Sequence, residues 1–469
     1  MNIRQIPYFL GPLIFVLALI WPSESLTHSE LAVLGILGWM LTWWITEIVN
    51  LAVTALLPIL LLPLTGILPI ADVTALYGHH LIFLFFGGFI LALAIEKWKL
   101  HRRIALLIIR MVGSSPRRIL LGFMIATAFL SAWISNTATT VMMLPMAMSV
   151  LQLLKKAGFQ ERKVSIAILM GVAWSANIGG MTTLIGTPPN LVFTGFYSQN
   201  YSTEITFAEW LKIGLPVAIS LFIAAYALLS LMVRKIEADV PSIKSYFAKE
   251  YEKLGKLEGA EMRVAIVFGL TALLWIIRPQ LVDLLGLVGF TDTSVAILAS
   301  IALFVIPASR KEPLLVWKDT KNLAWGILIL FGGGLALASG MNESGLLRHI
   351  TDLFAAQSSL GLLTWIFFMA VLGIWATEIM SNMALVAAMM PIVAAIAGAT
   401  GESFFLLALP LTLGSSCAFM LPMATPPNAI VFSSGELRIV DMVRRGFFMN
   451  LIATLLITLI VFAVSDFLP

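Results

Sequence analysis

The sequence predicts an all-α polytopic membrane protein built as an inverted-topology repeat, with two re-entrant hairpins and two broken helices. Three observations carry that prediction. The 469 residues are 60% hydrophobic and 12% charged, where soluble domains carry about 25% charged residues, and the mean hydropathy is +0.98. Three short motifs recur in the same order in the two halves of the chain. The basic residues flanking one motif in the first half are missing around its second copy, as expected if the two copies enter the bilayer from opposite faces.

Apolar runs follow one another from end to end, so lipid is the solvent for most of the chain. The formal net charge of +4 is small, and the basic residues sit in short clusters between apolar segments, so no nucleic-acid partner is expected. Cys417 is the only cysteine; no intrachain disulfide can form, and its apolar setting marks it as a packing residue.

Taken in order, the run 9–21 follows Arg4 and ends in Trp21-Pro22-Ser23-Glu24. It lacks a small-x-small cleavage pattern and reads as a retained first transmembrane helix rather than a signal peptide. Basic clusters at 97–103, 310–321 and 438–445 read as cytoplasmic, and the polar stretches 23–30 and 199–209 as external. Trp43, Trp44, Trp210, Trp317 and Trp325 are candidates for an interfacial belt or for packing between helices. The stretch 234–263, dense in Lys and Glu, cannot cross a bilayer and reads as a cytoplasmic linker between the halves. About eleven spanning segments plus two hairpins are expected.

The repeats come next. Phe86-Gly87-Gly88 answers Phe331-Gly332-Gly333; these glycines lack the context of a nucleotide loop and point to close helix contact. Ser135-Asn136-Thr137 answers Ser381-Asn382-Met383, with the same spacing to a later proline in each copy (135 to 145, 381 to 391). Thr187-Pro188-Pro189-Asn190 answers Thr425-Pro426-Pro427-Asn428. The first Ser-Asn segment is bracketed by Arg117, Arg118, Lys155, Lys156, Arg162 and Lys163, the second by Gln357, Ser358, Gly401 and Glu402. Each segment is too long for one span and polar at its middle, which suits a hairpin. Inverted repeats with broken helices are the architecture of secondary transporters.

Adjacent prolines remove two backbone donors and force the preceding residues out of helical geometry, while Thr caps a helix and Pro suits its first position. Each Thr-Pro-Pro therefore writes a helix break, tolerated in hydrocarbon only where buried in protein or lining a wet cavity. The new helix start carries about half a positive charge, which suits an anion. Asn136 and Asn382 offer amide donors to an anion and a carbonyl to a cation, and unwound backbone beside them offers more oxygens to sodium. No Lys, Arg, Asp or Glu occurs in 119–154, 164–203 or 403–435, and Glu378 alone occurs in 353–401. A dianion held there would need bound cations to balance it, which motivates sodium coupling. Glu47 and Glu378, each in Thr-Glu-Ile, are candidates for an ion ligand or a structural partner. His79 and His80 lie near a segment boundary and read as interfacial. No cluster has metal-site spacing, and no organic cofactor is expected.

At these motifs the chain resembles the divalent anion/sodium symporter family over nearly its whole length, including Trp44-Ile45-Thr46-Glu47 and Thr54-Ala55-Leu56-Leu57-Pro58. The resemblance implies a homodimeric, inner- or plasma-membrane transporter, not an enzyme, with an elevator-type scaffold and transport domain. It would be divided into scaffold helices 1–118, transport segment 119–233, linker 234–262, scaffold helices 263–355 and transport segment 356–469, with the N-terminus and linker cytoplasmic. It implies one sodium site around Ser131, Ser135, Asn136 and Gly186, and a second around Thr377, Met380, Asn382 and Ala424. Substrate carboxylates would meet Asn136, Thr137, Thr187, Pro188, Ser381, Asn382, Thr425 and Pro426. The expected activity is sodium-coupled symport of C4-dicarboxylates (succinate, malate, fumarate); the alternatives are sodium-independent dicarboxylate exchange, or sulfate or citrate as main substrate. Met383 departs from the family's usual Thr or Val and removes a hydroxyl from the second motif.

Overall fold

In hydrocarbon every backbone N–H and C=O needs an internal partner, which leaves helices or a closed barrel as solutions. This chain takes the helical one. A computed structural model describes residues 6–113, 115–156, 162–201, 203–233, 241–287, 289–309, 312–354 and 361–465. Arg4, residues 234–240 of the linker, Arg310, and the flanking Gln357 and Ser358 lie outside them. Among the described residues the only β-type pairing is an isolated bridge between Pro307 and Pro313.

Nine described helices are long and apolar enough to cross a membrane, and five apolar helices are shorter. The apolar run 51–64 is two helices in series, Leu51–Thr54 and Leu57–Leu64, the second with a proline in its first turn.

The two halves repeat element by element. His80–Lys97 carries Gly87 and Gly88, and Trp325–Glu343 carries Gly332 and Gly333. Both pairs serve close contact, as expected: a Cβ on Gly87 would lie 2.6 Å from Ala296 Cβ, and one on Gly333 2.5 Å from Ala55 O. Each long helix then turns sharply through a left-handed residue, Lys99 (φ 59°) in one half and Gly345 (φ 85°) in the other. An amphipathic helix follows in each half, Leu100–Val112 and Leu346–Phe354. Next come the hairpins, Pro116–Ser131 with Asn136–Lys156 and Leu362–Ala376 with Asn382–Thr400, and then the broken helices.

Packing crosses between the halves. The helix after the first break, Pro188–Tyr201, lies against the second hairpin's return arm, and Pro426–Phe432 lies against the first hairpin's return arm. The ion pairs Lys155–Glu436 (2.6 Å) and Arg162–Asp441 (2.5 Å) tie the end of the first hairpin and the start of the first broken helix to the segment between Pro426–Phe432 and Ile439–Ala463 and to the start of the latter.

The described part of the hydrophilic linker, from 241 on, is docked. Its helix Pro241–Glu252 buries Ile243 and Phe247, with Phe247 against Phe123 of the first hairpin at 6.2 Å between ring centroids. Arg103 on Leu100–Val112 is buried; it donates to both carboxylate oxygens of Glu261 (2.7 and 2.8 Å) and to the carbonyls of Gly255 and Leu254. Of the tryptophans considered for a belt, Trp44 and Trp210 are fully buried between helices, while Trp317 is well exposed. His80 Nε2 lies 3.3 Å from Glu204.

Candidate functional site

Both Thr-Pro-Pro motifs interrupt a helix. Arg162–Thr182 stops, 183–187 is non-helical, and the chain resumes as Pro188–Tyr201; Phe404–Ser415 stops, and the longer stretch 416–425 leads into Pro426–Phe432. A break strands carbonyls that have lost their N–H partners. The fourth residue of each motif repairs this. Asn190 Nδ2 donates to Thr183 O (2.8 Å), and Asn428 Nδ2 donates to Leu421 O (3.0 Å), seven residues back in both copies. Asn428 also reaches Ala418 O at 3.1 Å. Thr425 caps the new helix, its Oγ1 accepting from Asn428 N at 3.4 Å.

The hairpin tips carry matched polar clusters. Ser131 Oγ lies 2.7 Å from Asn136 Oδ1 and 2.7 Å from Ala176 O. In the second half Thr377 Oγ1 lies 2.7 Å from Asn382 Oδ1 and 2.8 Å from Ser415 O. Each hydroxyl has one proton to share between two carbonyl-type oxygens. Each cluster is thus rich in lone pairs, the chemistry that suits a hard monovalent cation. More backbone oxygens converge at the first: a Cβ on Gly186 would lie 2.3 Å from Gly180 O and 3.2 Å from Ala132 O. Ser135 caps the return arm through Ala138 N (3.2 Å), whereas Ser381 makes no capping bond.

Tips and breaks meet around one cleft of about 860 Å³. Asn136, Thr137, Thr187, Pro188, Ser381, Asn382, Thr425 and Pro426 all line it. Helices beginning at Asn136, Pro188, Asn382 and Pro426 start there, so the positive ends of four helix dipoles face one space. Among the described residues the lining includes Glu47 and Glu96 and no Lys, Arg or His. Ser135, Gly186 and Ala424 line it as well; buried Ser131 and Thr377 stand behind the asparagines they bond. Met380 precedes Ser381 but is outside the lining. Met383 lines the cleft with a largely buried thioether chain, where Thr137 in the other half is exposed.

Glu47 terminates His28–Thr46 in a left-handed conformation (φ 47°) at the rim of the cleft. Glu378 is buried and organises the second break. Its Oε1 accepts from Phe419 N (2.8 Å), Met420 N (2.9 Å) and Asn450 Nδ2 (2.9 Å), and its Oε2 from Leu421 N (2.9 Å). Asn177 went unnoticed in the sequence. It lies in the cleft wall and donates from Nδ2 to Thr425 Oγ1 (3.2 Å) and Ala418 O (3.1 Å), joining the first broken helix to the second. An uncapped asparagine deep in an apolar helix was the available signal.

Two repeated halves whose helix breaks and hairpin tips enclose a polar cleft within an apolar helical body define a multi-pass membrane transporter; among the described residues no catalytic constellation lines the cleft. Residues 6–467 match the family model described as sodium:sulfate symporter transmembrane region. The chain therefore belongs to that family, the divalent anion/sodium symporters. It is 40% identical over 474 residues to a protein of Staphylococcus saprophyticus called sodium-dependent dicarboxylate transporter SdcS, covering 98% of this chain and 91% of that one. It is 39% identical over 473 residues to the protein of the same name from Staphylococcus aureus, with the same coverage, 98% and 91%. In fold it is similar to the crystal structure of the Alcanivorax borkumensis YdaH transporter, with a TM-score of 0.54 at 13% identity, covering 99% of this chain and 98% of the other.

Proposed function

We propose that the protein is a sodium-coupled symporter of small dianions, with C4-dicarboxylates such as succinate, malate and fumarate as its main substrates. The observation that carries this reading is the convergence of four helix N-termini and two asparagine amides on one cleft that no basic side chain lines among the described residues. An anion is attracted by the dipoles and amides but left short of full charge balance in a low-dielectric site. The oxygen clusters at Ser131 with Asn136 and at Thr377 with Asn382 supply places for compensating sodium ions. Both are bonded to the asparagines that face the substrate, so cation and anion occupancy support each other. The names of the two staphylococcal relatives agree with this assignment.

In this reading Asn136, Thr137, Thr187 and Pro188 hold one carboxylate, and Ser381, Asn382, Thr425 and Pro426 the other. Ser135 and Gly186 complete the first cation site, and the backbone carbonyls of Met380 and Ala424 the second. Hairpins and broken helices 119–233 and 356–469 move as an elevator-type transport domain against scaffold helices 1–118 and 263–355. Asn322, Leu323 and Glu96 line the cleft beside Lys97 and Lys321; with the basic face cytoplasmic, this conformer is open inward. The protein works as a homodimer in the plasma membrane, with its N-terminus and linker cytoplasmic.

Uptake of labelled succinate into proteoliposomes, with and without an inward sodium gradient, tests the proposal. Uptake that requires sodium and is competed by malate and fumarate is the expected result. Uptake that ignores sodium and needs internal dicarboxylate would replace symport by exchange, and stronger competition by sulfate or citrate would replace the substrate. Asn136→Ala and Asn382→Ala should each abolish sodium-dependent uptake while the protein remains folded.

A further inference from the structure

The two cation clusters match atom for atom in their hydroxyl and asparagine contacts, yet the residue that follows the hydroxyl differs. After Ser131 comes Ala132, whose carbonyl accepts from Thr183 Oγ1 at 2.5 Å. After Thr377 comes Glu378, whose carboxylate takes the three successive amides of Phe419, Met420 and Leu421 and the side-chain amide of Asn450. Among the described residues all four hydrogen bonds of Glu378 are accepted by its carboxylate oxygens. It is 3% exposed, so its field is little screened by water.

Its bonds also lead into the ligand-bearing stretch. Leu421, which donates its N–H to Glu378, accepts at its carbonyl from Ala424 N (3.2 Å) and Asn428 Nδ2 (3.0 Å). The carboxylate thus sets the peptide planes that end at Ala424 and at the Thr425 cap. The first break is short and closes on itself through Thr183 and Asn190; the second is longer and is wrapped around a charge.

We infer that Glu378 is a positioning residue that makes the two cation sites unequal, giving the site at Thr377 and Asn382 a fixed negative neighbour and the tighter hold on sodium. The inference rests on the cation-site reading above and adds that the second site fills at lower sodium concentration than the first. The other carboxylates of the cleft lining, Glu47 and Glu96, come from the scaffold; Glu96 shares a small cavity with Leu130, Ala138 and Thr139 of the first hairpin, but among the described residues no hydrogen bond joins it to the first break, whereas Glu378 takes three amides of the second.

The test uses the purified full-length protein, titrated with sodium without substrate by thermal shift, and in proteoliposomes by sodium-dependent succinate uptake. Glu378→Gln should raise the sodium concentration for half-maximal effect by about tenfold in both assays. The KM for succinate at saturating sodium should move by less than about twofold, and Glu378→Asp, which keeps the charge, should recover most of the loss. If folded Glu378→Gln titrates like the wild type, or Glu378→Asp is equally impaired, the inference fails. Asn450→Ala removes one donor and leaves the charge, so its sodium response should stay within about twofold of wild type; a tenfold weakening there would assign the effect to bonding rather than charge and overturn the inference, even if Glu378→Gln does not fold. If Thr377→Ala and Ser131→Ala both leave the sodium response unchanged, the cation-site reading itself fails, a result distinct from failure of Glu378 alone.

Discussion

Asn177 on the first broken helix donates its side-chain amide to Oγ1 of Thr425, the cap of the second, at 3.2 Å. The same nitrogen reaches Ala418 O at 3.1 Å. One side chain that is 1% exposed thus bonds the first broken helix to the cap of the second, beside the Trp174 Nε1 bond to Phe419 O.

Asn177→Leu should lower transport more than stability. The substitution removes one of two donors from Ala418 O and from Thr425 Oγ1, each of which keeps a bond from Asn428, and it loosens the cap that faces the cleft, at a cost of about 1 kcal/mol. Initial rates of uptake should fall by about tenfold or more, alongside a modest drop in melting temperature. Equal sodium response and rate in the mutant would show that the link between the breaks is dispensable.

Ser131→Ala and Thr377→Ala should each weaken sodium activation. Each removes a hydroxyl that lies 2.7 Å from its asparagine oxygen and leaves that oxygen without its donor. Sodium titration of uptake is the measurement, and the half-saturating concentration should rise by about tenfold in each mutant.

Arg103→Ala should free the linker helix. The guanidinium is buried and bound to Glu261 and to the carbonyls of Gly255 and Leu254; removing it leaves the carboxylate uncompensated, costing about 3 kcal/mol. Limited trypsin cleavage around Lys253 and Lys256 should accelerate in the mutant, read by gel against wild type.

Acid should loosen the same helix. The side-chain hydrogen bond from Lys253, with Arg102 adding to it, holds the Glu250 carboxyl below its ordinary range. A carboxyl lowered in the folded state contributes stability above the ordinary glutamate value of about 4.3, and that contribution is lost as pH falls through the lowered value. Hydrogen exchange in 241–252 should therefore rise below about pH 4 relative to the spanning helices. An unchanged ratio between pH 7 and pH 3.5 would contradict the assignment.

Gly333→Val should destabilise the scaffold without touching the cleft. The added Cβ would meet Ala55 O at 2.5 Å and Ala55 Cα at 2.9 Å, both backbone atoms that cannot move aside. Overpacking of this kind costs about 1–3 kcal/mol, and the melting temperature in detergent should drop accordingly.

Several parts of this structure were legible before any coordinates. The prolines of the two Thr-Pro-Pro motifs dictate breaks because they lack an N–H and clash with the preceding turn, and the breaks occur there. The asparagines of the Ser-Asn pairs, polar in a stretch with no charge, were bound to face something other than lipid. The eight substrate candidates all reach one cleft.

Other features depended on contacts between residues far apart in the chain, which local pattern does not encode. Asn177 looked like one polar residue in an apolar helix until the fold set it beside Thr425. Glu378 had no assigned partner because its four donors lie at 419–421 and 450, beyond any helical spacing. The linker's Lys and Glu content announced exposure, while Ile243 and Phe247 found burial only once Phe123 was in place.

The sequence by itself determined where helices form, where they break and which residue types are available to ions, because those follow from local backbone chemistry and from the cost of polar groups in lipid. The tertiary structure alone decided which breaks meet, which hydroxyl shares its proton with which asparagine, and which of two repeated clusters has a carboxylate beside it. Hydrogen bonds between distant segments are geometric facts of the packed chain, and they turn two similar motifs into two inequivalent halves of one site.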